Sequence, residues 1–91
     1  MRSMEKMISA ELSFSPIDSK DYVSDIECVL KDIEDSGLEY IIGVMSTTVI
    51  GSKNKIMELI DTIYEHMNEQ CGFSFHINIS NLCLSCAADK E

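Results

Sequence analysis

Two short segments, one near each end of the chain, alternate strictly between apolar and polar residues. Every second side chain is apolar in "ISAELSFS", residues 8–15, and again in "FSFHINIS", residues 73–80. This alternation is typical of a β-strand with one buried face and one open face. If both segments are strands of one sheet, the residues between them are expected to cover the apolar side of that sheet. Pro16 is predicted to end the first strand, because proline has no N–H to donate to a neighbouring strand.

Two segments between these strands have helical periodicity instead. Apolar residues recur at three- and four-residue steps from Tyr22 to Ile33, and again from Ile56 to Met67. Short polar residues before each segment are predicted to cap the helix, and a glycine after each is predicted to end it. These residues are Asp18 or Ser19 with Gly37 for the first helix, and Ser52 with Gly72 for the second.

The central segment "LEYIIGVMSTTVIG" is too apolar and β-branched for a surface helix and too long for one strand. We expect a hairpin that turns near Val44 to Ser46, with strands over about residues 38–44 and 46–51. The resulting order is βαββαβ. It favours a ferredoxin-like α+β fold, in which both helices cover one face of a four-stranded antiparallel sheet.

The length predicts one domain over residues 1–91, with a core over about 7–80 and a short tail over 81–91. A chain of this size buries little surface by itself, so a second copy would help to bury apolar side chains. We therefore expect a homodimer or homotetramer.

Charge and hydropathy argue against nucleic-acid binding, membrane insertion and secretion. The chain has 16 acidic and 7 basic residues, a net charge of −9, which disfavours nucleic acid. No apolar run approaches the ~20 residues that span a bilayer, and no signal peptide is recognisable. We expect a cytoplasmic protein whose four cysteines are reduced.

Short polar side chains are predicted to share the open face of the sheet. The first and last strands are neighbours in this fold, so their polar residues converge, and hydroxyls of the central hairpin join them. A solvated sheet face is the ordinary alternative. Such a face usually carries long charged side chains, whereas short ones suit a face that a second subunit or a small molecule covers. The candidate ligand-binding residues are Glu11, Ser13, Ser46, Thr47, Thr48, His76 and Asn78.

The segments "ISAELSFSPI" and "EYIIGVMSTTVIG", together with the βαββαβ order, resemble the YkoF-like family of thiamine or hydroxymethylpyrimidine-binding proteins. The resemblance covers about Met7 to Ser80. It implies a ferredoxin-like fold, assembly through the sheets into dimers or tetramers, and a pocket for the aminopyrimidine of thiamine beside residues 46–48. The tail departs from the family, as does Met45, where a small residue or proline is more usual.

The chemistry of the candidate residues is compatible with that ligand. An aminopyrimidine offers ring-nitrogen acceptors and an amine donor, which hydroxyls, an amide and a carboxylate can satisfy. Tyr40, Phe14 or Met45 could form an apolar wall for the flat ring, and Glu11 would attract the thiazolium cation. There is no glycine-rich phosphate loop, so unphosphorylated thiamine or its pyrimidine half fits better than the diphosphate.

Catalytic, metal and cofactor sites are not predicted. The lone pair in "CLSC", residues 83–86, has no second pair at matching spacing, so its thiols are interpreted as incidental, with a metal-binding or redox role as the alternative. No nucleophile with an orienting acid accompanies His76. The sequence predicts a non-enzymatic carrier or sensor of thiamine or hydroxymethylpyrimidine. The alternative is a structural or regulatory module that oligomerises through its sheet without a small ligand.

Overall fold

Two helices pack against one face of a four-stranded antiparallel sheet. The structure, a computed structural model, describes residues 7–82. Its elements are β1 (Met7–Asp18), α1 (Tyr22–Asp35), β2 (Glu39–Ile42), β3 (Thr47–Ser52), α2 (Lys53–Asn68) and β4 (Gly72–Ser80). The strand order is β2-β3-β1-β4, so the first and last strands are neighbours. The ferredoxin-like α+β fold predicted from the sequence is confirmed.

The register of the strands decides which residues face the helices. Ala10 of β1 lies opposite Val49 of β3 and Ile79 of β4. Ala10 and Val49 belong to the buried core, together with residues of both helices, so alternate positions along each strand face the opposite side of the sheet. The core consists of Ile8, Ala10, Leu12, Val29, Ile33, Leu38, Val49, Ile56, Leu59, Ile63 and Met67.

The first strand is longer than predicted. It continues through Pro16 to Asp18 in its pairing with β4, with an irregular register between these two residues. Beyond Leu12, β1 no longer pairs with β3 and has one free edge. Proline is tolerated on such an edge, because the missing N–H need not interrupt a ladder. The prediction that Pro16 ends the strand was therefore wrong.

The extension of β1 moves the start of α1. Asp21 is the N-cap, and its carboxylate accepts a hydrogen bond from the backbone N–H of Ser24 at 3.1 Å. The predicted caps were wrong, because Asp18 belongs to the strand and Ser19 lies in the connection. After the helix, Gly37 has a φ of 79°, the left-handed conformation expected of a residue that follows a helix.

Ser52 caps α2 as predicted. Gly72 was predicted to end this helix but is instead the first residue of β4. The N–H groups of Gln70 and Cys71 both donate to the carbonyl of Met67, at 2.9 and 3.1 Å. These hydrogen bonds pair a carbonyl group of the last helical turn, so the helix ends without a glycine.

The hairpin turns at residues 43–46, and the predicted turn is confirmed, although β2 is shorter than expected. The N–H of Gly43 donates to the carbonyl of Ser46 at 2.8 Å. A Cβ on Gly43 would lie 2.9 Å from that carbonyl oxygen, closer than real contacts. Glycine is therefore the residue that this tight turn accommodates.

The "CLSC" segment lies outside the described residues. Within residues 7–82, neither helix has the length and apolar character needed to cross a membrane.

Candidate ligand-binding site

The sheet face turned away from the helices carries most of the predicted residues. Glu11 of β1 lies opposite Thr48 of β3 and Asn78 of β4. Ser13 lies opposite His76. Cross-strand partners project to the same face with Cβ atoms about 5 Å apart. These five side chains therefore form one continuous surface, which we call the polar face.

A cleft of about 280 Å³ opens on the polar face. At its edge, the hydroxyl of Ser13 donates to the carbonyl of Met45 at 3.3 Å. This bond joins β1 to the hairpin just where the pairing of β1 with β3 has ended. The lining residues of this polar cleft are Glu11, Ser13, Ser46, His76, Ile77 and Asn78, all of them predicted site residues except Ile77.

The two central threonines point to opposite sides of the sheet. Thr48, which lies opposite Glu11, is half-buried on the polar face. Thr47 lies opposite Leu12, faces the helices and is only 7% exposed. Strand alternation thus places Thr47 on the side of the sheet opposite Glu11 and Thr48.

The expected aromatic wall is not on the polar face. Phe14 faces the helices, where its ring centroid lies 4.9 Å from that of Phe73. Tyr40 lies opposite Val49 and therefore also faces the helices. Neither ring can flank a ligand in the polar cleft, contrary to expectation. Met45, the third expected wall residue, is 85% exposed in the hairpin and lines a different cleft.

The ionisable side chains of residues 7–82 that line the polar cleft are those of Glu11 and His76, a carboxyl group and an imidazole. The surrounding protein carries a net charge of −9, a field that favours a cationic over an anionic ligand. Among residues 7–82, no group of three or more His, Cys, Asp and Glu side chains is placed to hold a metal ion. The cleft can therefore hydrogen-bond a polar ring and attract positive charge.

Sequence reasoning missed a second, larger cleft on the other side of the sheet. This helix-side cleft has a volume of about 410 Å³ and lies between α1, the end of β1 and hairpin residues 42–47. Thr47 lines it. One feature of the strand points to this cleft. Thr47 carries a hydroxyl on the same side of β3 as Val49 and Gly51, which are buried.

The fold and its clefts define a small ferredoxin-like domain with a recess on each face of its sheet. The chain belongs to the thiamine-binding protein family, whose model matches residues 10–80. The family is named for binding a small molecule rather than for catalysis. The resemblance inferred from the sequence is confirmed.

Several solved structures share the fold. A candidate thiamine biosynthesis or salvage protein of Thermotoga maritima has a TM-score of 0.78 at 17% identity, covering 92% of this chain and 97% of that one. A domain of unknown function from Bacillus cereus has a TM-score of 0.76 at 19% identity, covering 88% and 80%. A Streptococcus pneumoniae protein has a TM-score of 0.77 at 15% identity, covering 92% and 96%. At these identities the likeness establishes the fold alone. No curated protein is significantly similar to the chain.

Proposed function

We propose that this protein is a non-enzymatic carrier or sensor that binds unphosphorylated thiamine, or its hydroxymethylpyrimidine half, in the polar cleft. The observation that carries the proposal is the convergence of five predicted residues on one recess. They supply a carboxylate, an imidazole, an amide and two hydroxyls. Membership of the thiamine-binding protein family supports the same ligand.

The donors and acceptors of the cleft complement an aminopyrimidine. Its exocyclic amine can donate to the carboxylate of Glu11, and its ring nitrogens can accept from the amide of Asn78 or from a serine hydroxyl. Hydrogen bonds to a charged carboxylate contribute about 1.5–3 kcal/mol, more than bonds between neutral groups. Glu11 is the main polar anchor in this proposal.

The thiazolium ring favours the same carboxylate. Two opposite charges 4 Å apart attract by about 1 kcal/mol in water and by about 4 kcal/mol near a protein surface. Glu11 is exposed in the single chain, so the smaller figure applies until something covers the cleft. A cover would strengthen the attraction by excluding water.

We propose that a second copy of the chain provides that cover. Ile41 of β2 lies opposite Thr48 on the polar face and is 57% exposed, so apolar surface borders the polar residues. A dimer or tetramer assembled through the sheet would bury Ile41. Sedimentation at micromolar protein tests this arrangement, and a monomer would contradict it.

Isothermal titration with thiamine tests the binding proposal. The wild-type chain should bind saturably, and Glu11→Gln should weaken binding roughly tenfold or more, because it removes a charge-assisted hydrogen bond. Glu65→Gln is the matched control, since it removes the same charge from an exposed position on α2. It should bind as the wild type does. Equal affinities of the wild type and Glu11→Gln would exclude Glu11 from the site.

The exposed Ile41 is also compatible with an interaction module that binds no small ligand. A stable oligomer that gives no saturable heat with thiamine or with the free pyrimidine would favour that alternative.

A further inference from the structure

One isoleucine is buried on the side of the sheet that faces away from the helices. Ile50 of β3 lies opposite Ser9 of β1 and Glu39 of β2, so its side chain projects to the same side as the polar face. It is only 3% exposed, yet it does not belong to the core between the helices and the sheet. Ile41, which projects to the same side, is 57% exposed. Something other than the helices therefore covers Ile50.

The described neighbours of Ile50 on that side are poorly suited to cover it. Its cross-strand partners are Ser9, which is short, and Glu39, which is exposed. The preceding residue of β3 on the same side is Thr48, another short polar side chain. Among residues 7–82, these adjacent positions offer Ile50 no apolar partner. The cover has to be sought in the parts of the chain that precede or follow this range.

The end of β4 directs the chain toward Ile50. Ser80, the last residue of β4, lies opposite Ser9. The N–H of Leu82 donates to the hydroxyl of Ser80 at 3.0 Å, and the hydroxyl of Ser9 donates to the carbonyl of Leu82 at 3.3 Å. These bonds bend the chain back from β4 over β1. Since β1 lies between β4 and β3, a chain that continues in this direction reaches the strand that carries Ile50.

We propose that residues 83–91, which we call the tail, dock across this end of the sheet and cover Ile50. Neighbouring strands lie about 4.8 Å apart and an extended residue spans about 3.3 Å, so about two residues after Leu82 suffice to pass from β1 to β3. These residues are Cys83 and Leu84. A reduced thiol behaves as a small hydrophobic group, so both side chains can bury apolar surface against Ile50.

The other possible occupants of this surface fit less well. Met7 pairs with Ser52 at the start of β1, so the chain enters the sheet in line with the strand at this point, whereas the hydrogen bonds of Leu82 turn the chain across the sheet. A second copy does not account for the burial, because Ile50 is 3% exposed in the single chain.

The docked tail occupies sheet surface beside the polar cleft without filling it. Neither Ser9 nor Ile50 lines that cleft, although Glu11 follows Ser9 as the next residue of β1 on the same side. The tail makes this end of the sheet unavailable to a second copy and leaves Ile41 exposed for contact. The inference goes beyond thiamine binding and does not depend on it.

Nuclear Overhauser spectra of the full chain, with labelled isoleucine methyl groups, test the docking directly. The δ1 methyl of Ile50 should give cross-peaks to protons of Cys83 or Leu84, because such peaks arise only between groups in close contact. The methyl of Ile41 is the matched control on the same side of the sheet and should give no peaks to the tail. A sample mixed from labelled and unlabelled chains separates contacts within one chain from contacts between two copies.

The native thiols provide a second measurement. Alkylation of Cys83, followed by mass spectrometry, should be slower in the full chain than in a synthetic peptide of residues 81–91. Ser9→Ala removes the hydrogen bond to Leu82 and should accelerate the reaction of Cys83 roughly 2- to 10-fold. Ser15→Ala, the same change at an exposed position of β1, is the control and should leave the rate unchanged.

The half-buried thiols of Cys28 and Cys71 report on the fold in the same samples, and their unchanged rates would show that Ser9→Ala remains folded. Cross-peaks from Ile50 to residues 1–6, to a second copy, or to no residue outside 7–82 would each overturn the proposal. A Cys83 that reacts as fast as in the free peptide, or equally fast in Ser9→Ala and Ser15→Ala, would do the same. The thiamine titration with Glu11→Gln is a separate experiment, so failure of tail docking is distinguishable from failure of thiamine binding.

Discussion

Gly51 of β3 is predicted to be intolerant of even one added methyl group. It is buried on the helix side of the sheet, where a Cβ would lie 2.2 Å from Cδ2 of Leu38. Carbon atoms in favourable contact are about 3.5–4.0 Å apart. Leu38 belongs to the core and is 7% exposed, so it cannot swing into solvent to make room. Gly51→Ala therefore requires a displacement of more than ~1 Å inside a packed core.

The expected cost follows from two opposing terms. Overpacking a core by one methyl group typically destabilises by about 1–3 kcal/mol. Replacing glycine restricts the unfolded chain and stabilises by about 0.4–1 kcal/mol. We expect a net loss of about 1–2 kcal/mol, which corresponds to a melting temperature lower by roughly 4–16 °C for a domain of this size.

Urea unfolding of Gly51→Ala, Leu38→Ala and the double variant measures this clash. Leu38→Ala alone should cost about 2–5 kcal/mol. In the double variant the new methyl group fills part of the vacated space, so the combined loss should be smaller than the sum by about 1 kcal/mol or more. Gly72→Ala is the control, because its Cβ would meet the nearest atom, Cβ of Asp18, at an ordinary 3.5 Å. Strictly additive losses, or a Gly51→Ala as stable as Gly72→Ala, would refute the reasoning.

Three further predictions concern other parts of the molecule. Thr48→Val should weaken thiamine binding by ~1–3 kcal/mol at nearly unchanged stability, if its hydroxyl bonds to the ligand, and calorimetric titration would measure the loss. Asp21→Ala should lower the free energy of unfolding by about 1 kcal/mol, because it removes the N-cap of α1, and an unchanged urea midpoint would contradict this role. Partial burial raises the pKa of the Cys71 thiol, and the neighbouring carboxylate of Asp25 raises it further. Asp25→Asn should lower that pKa, increase the thiolate fraction at pH 8 and accelerate alkylation of Cys71, measured residue by residue by mass spectrometry; an unchanged rate would exclude the influence of Asp25.

The polar cleft could be predicted from the sequence because its residues follow two rules of local order. Side chains alternate along a strand, and the βαββαβ order makes the first and last strands neighbours. These rules bring Glu11 and Ser13 beside His76 and Asn78 without any knowledge of atomic packing. The same alternation places Thr47 and Thr48 on opposite sides of the sheet.

Periodicity and chain order by themselves determined the fold class. They also determined that β1 lies beside β4 and that Glu11, His76 and Asn78 share the polar face, because these features depend on local preferences and on topology. Only the tertiary structure decided where β1 ends. Pro16 is tolerated in the strand because β1 pairs with β3 only as far as Leu12. It also decided that Gly51 lies against Leu38, and that Thr47 lines an uncharged cleft beside α1. Each of these depends on which distant side chain occupies the space next to a residue, a distance in three dimensions that no pattern along the chain contains.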